Sequence, residues 1–168
     1  MVEPGTAVKA ILHDLRFKRH MVLSRDLPRI KGVCAWCRGK GRQGMKYCSE
    51  DCHDEADIRS NGTIAAKHVH QRDGAICSRC GIDTNIIAKA YRDIVYSYSR
   101  TIGLHFDLSL SKKWLEQWGP WGRHGYYDHF SEVHHIVPVH KGGGCCGIEN
   151  LETLCVICHK EETRKGTK

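Results

Sequence analysis

The sequence predicts a small α+β fold held together by bound metal more than by a large apolar core. Three observations point there. Eight of the ten cysteines fall in C-x2-C or C-x3-C pairs. Large aromatic side chains are scarce, with 3 Phe and 4 Trp in 168 residues, so there is little bulk to fill a conventional interior. Near the end of the chain the pattern changes from a β-branched, strand-like stretch (Glu132 to Val139) to a glycine run and then a helix that starts from a cysteine pair,.

Ten cysteines would also suit a disulfide-bonded secreted protein. The opening MVEPGTAVKAILHDLRFKRH, however, has no apolar stretch behind a basic one,. No segment reaches the ~20 apolar residues of a membrane span. The expectation is a cytoplasmic protein whose close cysteine pairs bind metal. The formal charge is +7; two four-thiolate zinc sites would reduce it to about +3. The remaining excess of Lys and Arg is compatible with an acidic partner such as nucleic acid.

Residues 1–31 hold a basic cluster of Lys9, Arg16, Lys18, Arg19, Arg25, Arg29 and Lys31, with a short helix expected over Ala7 to Phe17. This segment reads either as a solvated, partly mobile terminus or as an arm on a DNA backbone. Residues 32–73 form a first zinc module. Cys34 and Cys37 make a C-x2-C knuckle, a Gly- and Lys-rich hairpin follows, and Cys48 and Cys52 lie one helical turn apart. Together they suit a tetrahedral four-cysteine site. Ser49 precedes Glu50 and Asp51 as an N-cap with acidic residues in the first turn. A helix to Arg59, a break at Asn61-Gly62 and a second helix from Thr63 to Asp73 complete the module.

Residues 74–168 open with a second knuckle, Cys77 and Cys80, and the matching pair is Cys155 and Cys158 near the other end. A zinc ion joining them would close a long loop and so stabilise the fold strongly. Residues 84–130 form an insert, with helices expected over Thr84 to Arg100 and Ser111 to Trp118. Its Trp114, Trp118, Trp121, Tyr126 and Tyr127 either pack against the zinc core or offer a stacking platform for bases. KGGG, Lys141 to Gly144, reads as a flexible turn. His140 reads as solvent-facing, and Cys145 and Cys146 as loop residues without a matching pair. Glu132 and Glu149 have no assigned role.

Residues 131–164, SEVHHIVPVHKGGGCCGIENLETLCVICHKEETR, resemble the HNH endonuclease family, in particular its bacterial and phage members with C-x2-C knuckles. The signature positions fall on His135, Asn150 and His159. The resemblance covers roughly residues 34–164, with the 84–130 insert matching only loosely. It implies a ββα-metal (His-Me finger) unit, preceded here by a treble-clef-like zinc module and interrupted by the helical insert. It implies His135 as general base, Asn150 as the residue that fixes the loop and orients that base, and His134 and His159 as ligands of a catalytic divalent ion. Mg2+ is favoured by abundance, while imidazole suits Mn2+, Ni2+, Co2+ or Zn2+ on softness grounds. Many family members carry a third histidine four residues after the last signature position, where this chain has Thr163. The substrate implied is DNA. The setting implied is the cytoplasm of a bacterial host or phage-infected cell, with a packaging or replication partner; oligomeric state is open.

Phosphodiester hydrolysis asks for these residue types on independent grounds: a neutral imidazole to take a proton from water and a cation to offset charge at the phosphate and leaving oxygen. Neighbouring strand residues point to opposite faces, so His134 can serve the ion and His135 the water. Two other readings use the same cysteines. A non-catalytic zinc module that binds nucleic acid would not require the four-residue His/Asn set. A C-x-x-C redox protein would call for a βαβ setting that the sequence lacks.

Overall fold

A computed structural model describes residues 2–23, 25–27, 29–101 (94–101 as backbone) and 130–166. The expected helix at Ser111–Trp118 and the five aromatic residues of the insert lie outside the described residues. The chain divides into two compact units. The first comprises Met1–Val69 and His135–Glu152, the second His70–His134 and Thr153–Lys168.

In the first unit, α1 (Thr6–Leu15) buries Val8 against Val22, Leu27, Trp36 and Ala56. Trp36 is fully buried; its indole N–H donates to the Val2 carbonyl at 2.9 Å, and the Arg59 guanidinium lies 5.1 Å from its ring centre. A buried indole of this kind typically holds roughly 3–5 kcal/mol of stability. The apolar side chains Val8, Val22 and Leu27 of the N-terminal segment complete this core, so its described residues are not a solvated, mobile terminus. α2 (Glu50–Ser60) begins as expected, with Ser49 Oγ accepting the Cys52 N–H at 3.2 Å. Asn61 ends α2 and starts α3 (Gly62–Asp73), its Oδ1 accepting the N–H groups of Thr63 at 3.0 Å and Ile64 at 3.4 Å.

In the second unit, Gly74 and Ala75 at φ of 62° and 59° turn the chain out of α3, and a bridge between Ile76 and Asp83 closes the second knuckle. α4 (Thr84–Thr101) packs Ile87, Ala88 and Tyr91 on Phe130. β1 (Ser131–His135) and β2 (Leu151–Cys155), whose residues are divided between the two units, form a two-stranded sheet, and α5 (Val156–Gly166) of the second unit follows directly. The pairing is antiparallel, with Val156 N–H bonded to Phe130 O and Ile136 N–H to Asn150 O. β1 stops at His135, four residues short of the expected Val139. Beyond Ile136 the side chain of Asn150 replaces the partner strand: its Oδ1 accepts the Val137 N–H at 2.8 Å and its Nδ2 donates to the Val137 carbonyl at 3.0 Å. Pro138 then leads into a 3₁₀ turn, Val139–Lys141. No helix of the described residues is long and apolar enough to cross a membrane.

Candidate active site and metal centres

All ten cysteines are free thiols, and eight of them gather into the two expected groups. Within each group the sulfurs all lie within 4.8 Å of one another. In the first, Cys37 and Cys48 are 3.5 Å apart, as are Cys48 and Cys52. In the second, Cys80 and Cys155 are 3.8 Å apart. Four sulfurs at about 2.3 Å from a tetrahedral zinc ion are about 3.8 Å from one another, so both sets fit that ion. They are far outside the ~2.05 Å of a disulfide.

The backbone already favours negative charge at one sulfur in each group. Burial would raise the Cys34 thiol, but N–H groups of Trp36, Cys37 and Cys48 overcome it and bring it down to about 6. Cys77 is brought down to about 7 against burial in the same way, by Cys155, Cys80 and Arg79. Burial pushes Cys52 up to about 12, and Cys158 is raised for the same first reason. Four thiols crowded together cannot all ionise without a cation, and a divalent ion removes that conflict.

In the second unit, β1 and α5 bring His134 and His159 together, ring centres 5.4 Å apart and nearly perpendicular. His159 follows Cys158 at the start of α5, so the cysteine group fixes the helix turn that carries it. Thr163 lies one turn on, and its hydroxyl donates to the His159 carbonyl at 3.0 Å, an ordinary helical back-bond.

In the first unit, His135 faces a different neighbour, the ring of His20, at 5.2 Å and edge-on. Asn150 holds the loop beyond β1 through the two bonds to Val137 and a third to the Gly143 carbonyl at 2.9 Å. The glycine run is not a free turn. A Cβ on Gly143 would fall 1.6 Å from the Val137 carbonyl oxygen, and one on Gly144 2.0 Å from that of Arg19, so glycine is required here for close backbone approach. Cys145 lies in a turn, as expected of a loop residue, yet it is 3 % exposed and part of the first unit's core, and burial pushes its thiol up to about 11. Glu149 serves the loop by accepting the Gly147 N–H at 3.0 Å and pairing with Arg59 at 3.7 Å. His140 is exposed and Glu132 half-buried. His20 escaped the sequence reading. It stands in a basic run with no spacing motif, and only the folding of the N-terminal segment brings it to His135.

Residues 122–165 match the HNH endonuclease family model, and the α+β architecture with two zinc-capable cysteine groups agrees with the class expected. Two curated relatives are the DNA annealing helicase and endonuclease ZRANB3 of Mus musculus, 34% identical over 128 residues, and that of Homo sapiens, 35% identical over 123 residues. Each alignment covers 73% of this chain and 11% of the relative, so the chain spans about a tenth of the length of those proteins. The crystal structure of the human ZRANB3 HNH domain is 28% identical, covers 62% of this chain and 88% of that one, and superposes with a TM-score of 0.40. These relatives are mammalian, whereas the sequence resemblance pointed to bacterial and phage members.

Proposed function

We propose that this chain is a metal-dependent endonuclease hydrolysing phosphodiester bonds of DNA. The observation that carries the reading is the pairing of His134 and His159: two imidazoles from a strand and a helix meet in the segment that matches the HNH endonuclease family. The word endonuclease in the names of the relatives supports the reaction, and the word DNA supports the substrate.

In this reading each cysteine group holds one structural Zn2+, and His134 and His159 hold one catalytic divalent ion. Mg2+ is the abundant candidate, and Mn2+, Ni2+, Co2+ and Zn2+ suit imidazole better. Held there, such an ion would neutralise charge at the scissile phosphate and the leaving 3′ oxygen. His135 accepts the proton of the attacking water through a ring nitrogen. Asn150 holds the backbone from Val137 to Gly143 and so fixes the end of the strand that carries His135. Residues 74–168 are the nuclease domain with its 84–130 insert, and 32–73 are the zinc module that precedes it.

Supercoiled plasmid incubated with the protein and a panel of divalent ions tests this. Conversion to the nicked form that stops with a chelator is expected. Binding of DNA with no nicking under any ion would favour a zinc module without catalysis.

A further inference from the structure

We propose that the face of α1 bearing Lys9, His13 and Arg16, together with the glycine loop, is a binding cleft for the sugar–phosphate backbone of the DNA substrate; this deepens the nuclease reading and rests on it. Residues 9, 13 and 16 follow the i, i+4, i+7 spacing that places side chains on one helix face. They form one wall of a cleft of about 280 Å³ whose other wall is Gly142, Gly144 and Cys145. No Asp or Glu lines it among the described residues.

The source of its attraction for an anion can be identified. A glycine loop can bind phosphate through unused backbone N–H groups. Here those of Gly142, Gly143, Gly144 and Cys145 are all taken, by the carbonyls of Val139, Pro138, Arg16 and His20. The glycine wall therefore supplies room, as bare backbone, while the charge comes from α1. Arg16 is positioned for this. Its Nη2 donates to His13 Nε2 at 3.1 Å, its guanidinium lies 4.8 Å from the centre of the Phe17 ring, and its buried Nε has no hydrogen-bond partner among the described residues. That Nε is closed to solvent, so a phosphate would meet the terminal N–H groups of a guanidinium that His13 and Phe17 hold in place,. Lys9 pairs with Glu3 at 2.9 Å, both side chains largely exposed. Such pairs contribute little, so a phosphate can replace Glu3.

The chain that forms the charged wall also runs on to the proposed base. It continues to His20, whose carbonyl holds Cys145 N–H at 2.9 Å and whose ring lies against His135. A strand lying in the cleft thereby rests on the segment that meets His135. Contacts of this kind position a duplex without reading its sequence.

The test is the salt dependence of binding of the full chain to a short DNA duplex of arbitrary sequence. Each phosphate contact contributes a slope of about −0.9 in log K against log[salt]. Lys9→Gln should reduce the slope by about 0.9 and Lys9→Gln/Arg16→Gln by about 1.8, whatever the duplex sequence. Lys18→Gln removes the same charge from outside the cleft and should change the slope less. Arg16→Lys guards against a folding defect: it keeps the charge and should retain most of the slope that Arg16→Gln loses. If Lys9→Gln changes the slope no more than Lys18→Gln, the cleft is not a DNA site. That failure is separable from failure of the nuclease reading. A wild type that nicks plasmid while the double variant keeps the full slope overturns the cleft alone. A wild type that never nicks, while the slopes differ as stated, overturns the nuclease and leaves the cleft.

Discussion

The two units are built around the same device, a four-cysteine group, and differ in how much chain it closes. In the first, Cys37 and Cys48 are separated by 11 positions; in the second, Cys80 and Cys155 are separated by 75. Loop-closure entropy grows as (3/2)RT ln n, so the longer loop costs about 1.7 kcal/mol more to close. The first group can form from one local stretch. The second forms only once β2 and α5 have come to the knuckle at 77–80. The difference extends to the chemistry: the local unit carries His135 and Asn150, and the long-range unit carries His134 and His159. Adjacent residues of one strand thus depend on different supports.

The largest effects should come from breaking the groups one at a time. Structural zinc contributes an apparent 10–16 kcal/mol, which matches or exceeds the stability of most domains. Cys37→Ser should release one zinc and remove amide-exchange protection from the Trp36 core and α2, while α5 keeps its protection. Cys155→Ser should release the other and expose α4, β2 and α5. Metal content together with hydrogen exchange reads both outcomes. If either substitution melts both units alike, the comparison between a local and a long-range unit fails.

Next in size are the histidines. His135→Ala should cost about 10²–10⁴-fold in nicking rate, the usual loss with a general base, and added metal should not restore it. His134→Ala and His159→Ala should weaken the ion instead, so raised Mn2+ or Ni2+ should recover part of their activity. A fully active His135→Ala would mean that the two neighbours have been assigned the wrong way round.

What the sequence disclosed follows the same division. Cysteine spacing is local, so both knuckles were legible. Even the long-range pairing was legible, because the first group already used the other two pairs. The Ser49 cap and the helices at 50–60 and 62–73 carried their own local signals. What was not legible depends on one backbone passing close to another. The glycines at 142–144 read as a flexible turn, and only the carbonyls of Val137, Arg16 and Arg19 around them show otherwise. Cys145 had no pairing partner to mark it, and its place in the core goes with its bonds to the carbonyls of Arg19, 126 positions earlier, and His20. The N-terminal segment looked solvated because Val8, Val22 and Leu27 are too far apart in sequence to make an apolar stripe. A truncation of 1–31, designed on that view to remove an arm, should instead uncover Trp36 and destabilise the first unit.

Asn150 belongs to the local unit. Its carboxamide makes three hydrogen bonds, of 2.8, 3.0 and 2.9 Å, each with a net value of about 1 kcal/mol. Asn150→Ala should destabilise the first unit by about 2–3 kcal/mol and lower nicking less than His135→Ala does. Asn150→Asp keeps the bond from Val137 N–H but sets a carboxylate against two carbonyl oxygens, so it should be no better than alanine. Thermal unfolding and plasmid nicking of the two variants check this. Activity unchanged in both would remove Asn150 from any positioning role.

The smallest expected effect belongs to the long-range unit and has no metal in it. Asp73, at the end of α3, accepts two bonds from Arg72 at 2.6 and 3.0 Å and the Thr153 N–H at 3.0 Å. Arg72 above all, with Thr153, holds its carboxyl below the usual carboxylate range against the opposing effect of burial. A depressed folded value means stability that is fully present above the unfolded value of about 3.9 and is lost as pH falls through the folded one. Asp73→Asn should therefore cost the second unit about 1 kcal/mol at pH 6, and the gap from wild type should have begun to close by pH 4. The Thr153 bond ties α3 to β2 two residues before Cys155, so it helps to pre-form the site that must close the longer loop. The variant should accordingly weaken zinc binding at Cys77, Cys80, Cys155 and Cys158 while leaving the first group unchanged, which a chelator competition resolving the two zinc ions would measure. Equal weakening of both groups would show that Asp73 acts through general stability and not through the closure of its own unit.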